Sequence, residues 1–268
     1  MIDLHSPYPL TPEHGTSFDE QGYIVLTDVL SPQTVRAYEP EITSKVFELN
    51  TQHLPVGERL TAAQRAALQV MNVWQESELV REFVFSPRLA RLAAELLGVD
   101  AVRIYHDQAI YKEPGGGITP WHADQYYWPL QSDRTCSIWI PLQDTPLDMG
   151  PLSFAVGSQR ISVGRDLPVS DESEARMQAV LRERNVAIDE QPFALGDASV
   201  HLGWTFHRAG ANVTSTARKV MVIIYMDADI TVTAPNTAQR GDYDLWVPGV
   251  APGAVPDTAV HPILYSAA

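Results

Sequence analysis

The residues with the clearest capacity for chemistry are His122 and Asp124, separated by Ala123. On an extended backbone side chains alternate, so positions two apart point the same way. An imidazole nitrogen and a carboxylate oxygen then lie side by side. A further histidine would complete the two-histidine, one-carboxylate face that holds Fe(II) and leaves positions open for substrate and oxygen. A His-x-Asp tripeptide alone is commonplace, so the remaining histidines decide its meaning. The chain has eight. His5 and His14 lie near the N-terminus, and His53 and His261 in polar or proline-rich stretches, where a solvated role is the default. His106 sits in a strand-like run beside Asp107, in core or pocket. His201 and His207 remain as candidates for the missing ligand.

Composition bounds the partners. The chain has 268 residues, of which 45% are hydrophobic, enough for a sizeable core. Its formal charge of −14 argues against a nucleic-acid groove or an anionic membrane surface. It also weighs against a polyanionic substrate such as a CoA thioester. Cys136 is the only cysteine, so no intrachain disulfide forms, and its strand-like neighbours suggest a buried, inert thiol. The N-terminal stretch has no basic segment followed by an apolar one, and no apolar run is long enough for a membrane helix. These features lead us to expect a cytoplasmic protein that is a monomer or homodimer acting on a small molecule.

The elements that must position the histidines follow in order. Residues 1–17 read as an extended arm, then Phe18–Leu26 as a short acidic turn followed by a strand. Ser31-Pro32 starts a helix toward Leu49, with Pro40 bending or splitting it. A helical piece from about Leu60 to Leu68, a break at Met71–Trp74, a helix from Ser77 to Phe85, and another from Ser86-Pro87 to Gly98 follow. After Asp100 the pattern turns to strands: Val102–Lys112, Thr135–Leu142, Gly150–Val156, Asp189–Phe193, Ala198–Leu202 and Arg218–Met226. Gly115–Gly117 reads as a hairpin-type turn, and Asp171–Arg184 as a helical insertion over the sheet. The tail from Thr231 is rich in Pro, Gly and Ala. A helical half followed by many short strands predicts a mainly β fold: a double-stranded β-helix, the jelly roll of cupin-like proteins, with a helical buttress. We expect one domain over 1–268, mostly helical across 30–98, with its jelly-roll core over about 100–228 and a C-terminal lid or tail over 229–268.

The stretch Gly196-Asp197 through His207 to Gly210 and Asn212, with Arg218 eleven residues beyond His207, resembles the C-terminal signature of the phytanoyl-CoA dioxygenase family of Fe(II)/2-oxoglutarate oxygenases, in its bacterial small-molecule branch. Phe18–Leu26 is similar to the opening F-x-x-x-G element of that family. Gly150-Pro151-Leu152 with Gly157-Ser158-Gln159-Arg160 is similar to its central element, with Gln159 in place of a histidine. The resemblance implies that His122, Asp124 and His207 hold the iron, and that His201 is a structural neighbour. It implies 2-oxoglutarate contacts at Gln108 and Trp139, with Arg218 clamping the far carboxylate. Where the family often has Ser, this chain has Ala209, so Thr119 or Thr135 would supply that hydroxyl. The resemblance also implies that Asp124 fills the coordination site that related halogenases leave to chloride.

The implied reaction is oxidation of an unactivated C–H by O2, with 2-oxoglutarate leaving as succinate and CO2. Hydroxylation, oxidative cyclisation, epimerisation and desaturation are all open. The candidate substrate pocket is aromatic: Tyr126, Tyr127 and Trp128 after the ligand pair, Met71 and Trp74 from the helical half, and Tyr243 and Trp246 as a lid. Asp107 is placed to orient a substrate hydroxyl or amine. An aromatic pocket in an acidic protein favours a neutral or cationic secondary metabolite. The alternatives are an acyl-CoA hydroxylase of the same family and a cupin-type metal protein without 2-oxoglutarate chemistry, the latter disfavoured by Arg218.

Overall fold

Two antiparallel sheets face each other, and the helices cover the outer faces of both. The computed structural model describes residues 1–267. The helices are α1 (Pro12–Gln21), α2 (Pro32–Leu49), α3 (Ala62–Ala66), α4 (Glu78–Val84), α5 (Pro87–Leu97), α6 (Asp171–Glu183) and α7 (Arg240–Trp246). The strands are β1 (Tyr23–Leu26), β2 (Leu68–Met71), β3 (Ala101–Lys112), β4 (Thr119–His122), β5 (Thr135–Pro141), β6 (Leu152–Ala155), β7 (Ile188–Glu190), β8 (Ala198–Leu202), β9 (His207–Ala209), β10 (Arg218–Asp227) and β11 (Ile263–Ser266). The large sheet runs β1-β8-β5-β10-β3-β11, with β2 also paired to β3, and the small sheet runs β4-β9-β6-β7. This is the expected jelly roll with its helical buttress.

Alternation sorts the large sheet into two faces. Ile138, Ile140, Met221, Ile223 and Tyr225 join Val35, Ile42, Phe83 and Leu89 of the helices in one core. Trp139, Val220, Val222 and Ile224 point the other way, toward the small sheet. Capping serines explain the helix starts: the side chains of Ser31, Ser77 and Ser86 accept from the amides of Thr34, Val80 and Leu89. Helix α5 stops at Gly98, whose φ of 64° lies in the left-handed region.

Several sequence expectations are corrected. The extended arm is helical from Pro12, because Thr11 caps α1 and the buried Phe18 anchors it. Pro40 does not split α2; it is exposed, so water can take the carbonyl it frees. Leu68 starts a strand rather than ending a helix, because pairing with β3 outweighs local propensity. Gly115–Gly117 carries the chain from the large sheet to the small one and is not a hairpin turn. The tail folds back as α7 and returns to the large sheet as β11.

Candidate metal centre

The candidate ligands come from the small sheet. His122 ends β4 and His207 begins β9, and the two are cross-strand partners. Ala123 is extended, with φ −126° and ψ 128°, which puts Asp124 on the same side as His122 before the chain turns at Asp124–Tyr126. One ligand atom from each of His122, Asp124 and His207 lies within 4.8 Å of the others. Asp124 Oδ1 is 3.6 Å from His122 Nε2 and 3.7 Å from His207 Nε2.

The surrounding groups orient these donors. His122 Nδ1 is 2.7 Å from the Pro120 carbonyl, and His207 Nδ1 is 3.0 Å from that of Thr205. A carbonyl only accepts, so each Nδ1 carries the proton and each Nε2 presents a lone pair. Burial pulls both imidazoles down to about 4, so both are neutral at pH 7. Asp124 Oδ2 accepts from Ser137 Oγ at 3.0 Å and lies 3.3 Å from His201 Nε2. Burial pushes the Asp124 carboxyl up, but His207, His201 and His122 outweigh it and hold the group below the usual carboxylate range. Oδ1 is thus left for a cation. Two neutral imidazoles and one fixed carboxylate suit a divalent first-row metal.

The large sheet supplies the opposite wall in cross-strand rows. His106, Ile224, Ser137, His201 and Tyr23 form one row; Met71, Gln108, Val222, Trp139 and Ser199 form the next. Arg218 and Lys112 pair four residues further on, beyond the Ile110 and Val220 row. Arg218 is 2% exposed, donates from Nη1 to the Gly150 carbonyl, leaves Nε without a partner, and sits 5.4 Å from the centre of the Trp139 ring. Burial pulls it down to about 10. Lys112, fully buried, bonds the Gly117 carbonyl and, at 3.3 Å, Thr119 Oγ1. Burial, with Arg218 and Arg208 adding to it, pulls its ammonium down to about 6. Neither side chain has a carboxylate partner among the described residues. Near 6, Lys112 is mostly a neutral amine at pH 7, so Arg218 is the buried charge left without an anion, which is costly unless a ligand brings one.

The sequence elements around the site acquire structural reasons. A side chain at Gly150, where φ is 69°, would meet the Gly210 carbonyl at 2.2 Å. Ser158 Oγ accepts from the Phe206 amide at 2.9 Å, fixing the chain one residue before His207. Asn212 donates to the Lys112 carbonyl at 2.9 Å and ties the β9–β10 loop to β3.

Not every candidate faces this cavity. Asp107 accepts from the amides of Val73 and Trp74 at 3.0 and 3.3 Å, and Trp74 packs at 4.9 Å from Phe85 in the helix-side core. Both therefore fall on the far face of β3, because alternation turns Asp107 away from its neighbour Gln108. We draw the pocket without them. Met71 shares Gln108's row, and the Gln108 amide oxygen accepts from Gln69. Tyr126 and Tyr127 stack edge to face just after Asp124, and Trp128 packs against Tyr105. Thr135 is occupied by a 2.6 Å bond to Gln125, whereas Thr119 is the cross-strand partner of Ala209. Lys112, Ser137 and Asp242 escape sequence reasoning. The first two are ordinary strand residues until register places them beside Arg218 and Asp124.

The family model described as phytanoyl-CoA dioxygenase (PhyH) matches residues 18–220. The chain is 27% identical over 159 residues to an ectoine dioxygenase of Sphingopyxis alaskensis, covering 57% of this chain and 51% of that protein. It spans between 51% and 61% of the first curated relatives it matches. Among solved structures it resembles SnoK, the non-heme alpha-ketoglutarate-dependent carbocyclase of nogalamycin biosynthesis, with a TM-score of 0.77 at 24% identity over 96% of this chain and 99% of that one. The epimerase SnoN, in complex with Fe3+, alpha-ketoglutarate and nogalamycin RO, matches with a TM-score of 0.77 at 24% identity over 94% and 98% of the two chains.

Proposed function

This chain belongs to the phytanoyl-CoA dioxygenase family, and from that premise we propose that it is an Fe(II)/2-oxoglutarate-dependent oxygenase acting on a C–H bond of a small molecule. The observation that carries the reading is the pairing of two half-sites, one on the small sheet and one on the face of the large sheet that packs toward it. One is a convergent His122, Asp124, His207 set with its lone pairs freed; the other is a buried Arg218–Lys112 pair lacking an anion. Bound Fe(II) supplies oxygen activation coupled to decarboxylation of 2-oxoglutarate to succinate, and with it removal of a hydrogen atom from an unactivated carbon.

The residues divide the remaining work. His122 Nε2, Asp124 Oδ1 and His207 Nε2 would hold the metal. Arg218 would receive the distal carboxylate through a charge-assisted fork, and the arriving negative charge would favour the protonated form of Lys112 beside it. Thr119 stands in for the hydroxyl absent at Ala209. Its oxygen accepts from Lys112, which leaves its proton free for the carboxylate. Gln108 and Trp139 flank the cosubstrate from the next row. Ser137 and His201 keep Asp124 turned so that Oδ1 faces the metal. Asp124 would supply a carboxylate ligand to the metal, which favours oxygenation over halogenation.

The test is an anaerobic titration of Fe(II) and 2-oxoglutarate followed by the charge-transfer absorption of the chelate, with 2-oxoglutarate-dependent oxygen uptake as the functional counterpart. Iron binding without any effect of 2-oxoglutarate would favour the cupin-type alternative. An acyl-CoA substrate is disfavoured by the formal charge of −14, and the groove beside α7 has no Lys or Arg among its described lining residues to receive CoA phosphates. Whether the outcome is hydroxylation, cyclisation, epimerisation or desaturation is read from the product. The single-domain reading of 1–268 is part of the same proposal, since β1, β2 and β11 from both chain ends pair into the sheet that carries Arg218.

A further inference from the structure

A second group of polar side chains borders the cavity on the β3 side away from Arg218. Where β3 meets β10 the register slips, Ile224 pairing with His106 and Tyr225 with Ile104, so Tyr105 is the extra residue of a bulge. The bulge turns both Tyr105 and His106 toward the cavity side. They are 1% and 3% exposed, and neither Tyr105 Oη nor His106 Nδ1 has a hydrogen-bond partner. Buried polar atoms are normally paired, and an unpaired one points to a missing ligand group.

Helix α7 lies over these residues. Trp246 is 5.1 Å from the His106 ring, and Trp128 meets Tyr105 edge-on at 5.6 Å. Asp242 is one helical turn before Trp246 and so shares its face. It is half-buried, and no hydrogen bond or ion pair to its carboxylate exists among the described residues. Arg240 on the same helix is turned instead to Asp244 at 3.5 Å and to the Tyr243 ring. Burial pushes the Asp242 carboxyl up to about 7, and the charge of Asp124 adds to it. A carboxylate in that setting favours a positive partner. On the other side of Trp246 lies a groove of about 480 Å³ between β2 and α7, bordered by Gln69, Met71, Gln75, Glu76 and Leu245, in which Glu76 is the one charged side chain among the described residues.

We propose that the primary substrate carries a protonated amine, seated against Asp242 among the aromatic faces of Tyr105 and Trp246. The amine's N–H groups find acceptors in the carboxylate and Tyr105 Oη, and its charge meets the ring faces. Glu76 at the groove draws cations and repels anionic competitors. This assigns the substrate class of the oxygenase proposed above and rests on that reading only for what happens to the bound molecule.

The experiment compares two near-isosteric probes, benzylamine, which is protonated at pH 7, and benzyl alcohol, which is neutral. Each is titrated calorimetrically into the anaerobic Fe(II)·2-oxoglutarate protein. Benzylamine should bind at least about tenfold more tightly. Asp242→Asn should bring the two within about twofold of each other, while Asp244→Asn, an exposed acid on the same helix, keeps the preference. Trp246→Leu should weaken benzylamine several-fold, which retains a test if Asp242→Asn does not fold. Equal binding of both probes to the wild type, or an intact preference in Asp242→Asn, would overturn the proposal. Failure of the oxygenase reading shows separately, as absence of the Fe(II)–2-oxoglutarate absorption in the wild type. The probe comparison can then still be read on metal-free protein.

Discussion

Replacing Arg218 separates a cosubstrate clamp from a structural arginine, because the two roles predict opposite balances of stability and binding. Among the described residues Arg218 makes one hydrogen bond, to the Gly150 carbonyl, and has no acidic partner. Desolvating a guanidinium costs several kcal/mol, and apolar replacement of buried charge is often neutral or stabilising by about 1–4 kcal/mol. Leaving the Gly150 carbonyl unpaired costs back about 1–3 kcal/mol. Arg218→Met should therefore leave the ligand-free protein within roughly 2 kcal/mol of wild type. Binding should move much further. A charge-assisted hydrogen bond contributes about 1.5–3 kcal/mol, so loss of one arm of the fork in Arg218→Lys should weaken 2-oxoglutarate by roughly 10- to 150-fold, and Arg218→Met by more. The assay is thermal or urea unfolding with Mn(II), with and without 2-oxoglutarate. Ligand at a hundred times its dissociation constant stabilises the wild type by about 3 kcal/mol, and this increment should vanish in Arg218→Met. A control uses 2-oxovalerate, which lacks the distal carboxylate: the wild type should discriminate strongly against it and Arg218→Met should not. A ligand-free protein that collapses on substitution, with 2-oxoglutarate affinity unchanged in Arg218→Lys, would refute the reasoning.

Other outcomes follow from the same geometry. His122→Ala and His207→Ala should each abolish iron binding, whereas Ser137→Ala should reduce it by about 10- to 100-fold, since it only orients Asp124; the measurement is anaerobic metal titration. His201→Ala should retain appreciable iron binding, and the reverse pattern between positions 201 and 207 would show that the ligand was misassigned. Burial, with the Arg103 charge adding, holds His261 near 4 against an ordinary 6.5. Its contribution to stability is thus complete above pH 6.5 and is lost as the pH falls toward 4. Asp107 and Asp242, held up near 7, act with the opposite sign in this window, so the test is a comparison of variants. Relative to His261→Gln, the wild type should lose roughly 1 kcal/mol per pH unit on acidification, read by urea unfolding. Cys136 is fully buried and its thiol is pushed up by burial, so it should react with a thiol reagent only on unfolding.

The ligand pair was legible because it is local in sequence, and His207 and Arg218 through the family resemblance of the stretch that holds them. His122-Ala123-Asp124 needs only an extended backbone, and Arg218 is tied to His207 by one short loop. The serine-capped helix starts were legible for the same reason. What escaped depends on register between distant strands. Lys112 reads as an ordinary strand end until β3 pairs with β10 and sets it opposite Arg218. Ser137 becomes a partner of Asp124 only when β5 crosses the small sheet. Asp107 and Gln108 are neighbours in sequence, yet alternation sends one to the helices and the other to the cavity. Helix α7 was hidden by the proline- and glycine-rich composition around it, and its place over His106 is a tertiary fact.

The central claim is that one cavity holds Fe(II) through His122, Asp124 and His207 while Arg218 holds 2-oxoglutarate. Its most direct test is the anaerobic absorption spectrum of the protein with Fe(II) and 2-oxoglutarate together. A charge-transfer band should appear only when both are present. It should be lost in His207→Ala at any 2-oxoglutarate concentration, and recovered in Arg218→Lys only at roughly 10- to 150-fold more 2-oxoglutarate. A band that survives in His207→Ala, or one whose 2-oxoglutarate dependence is the same in Arg218→Lys as in the wild type, would contradict the account.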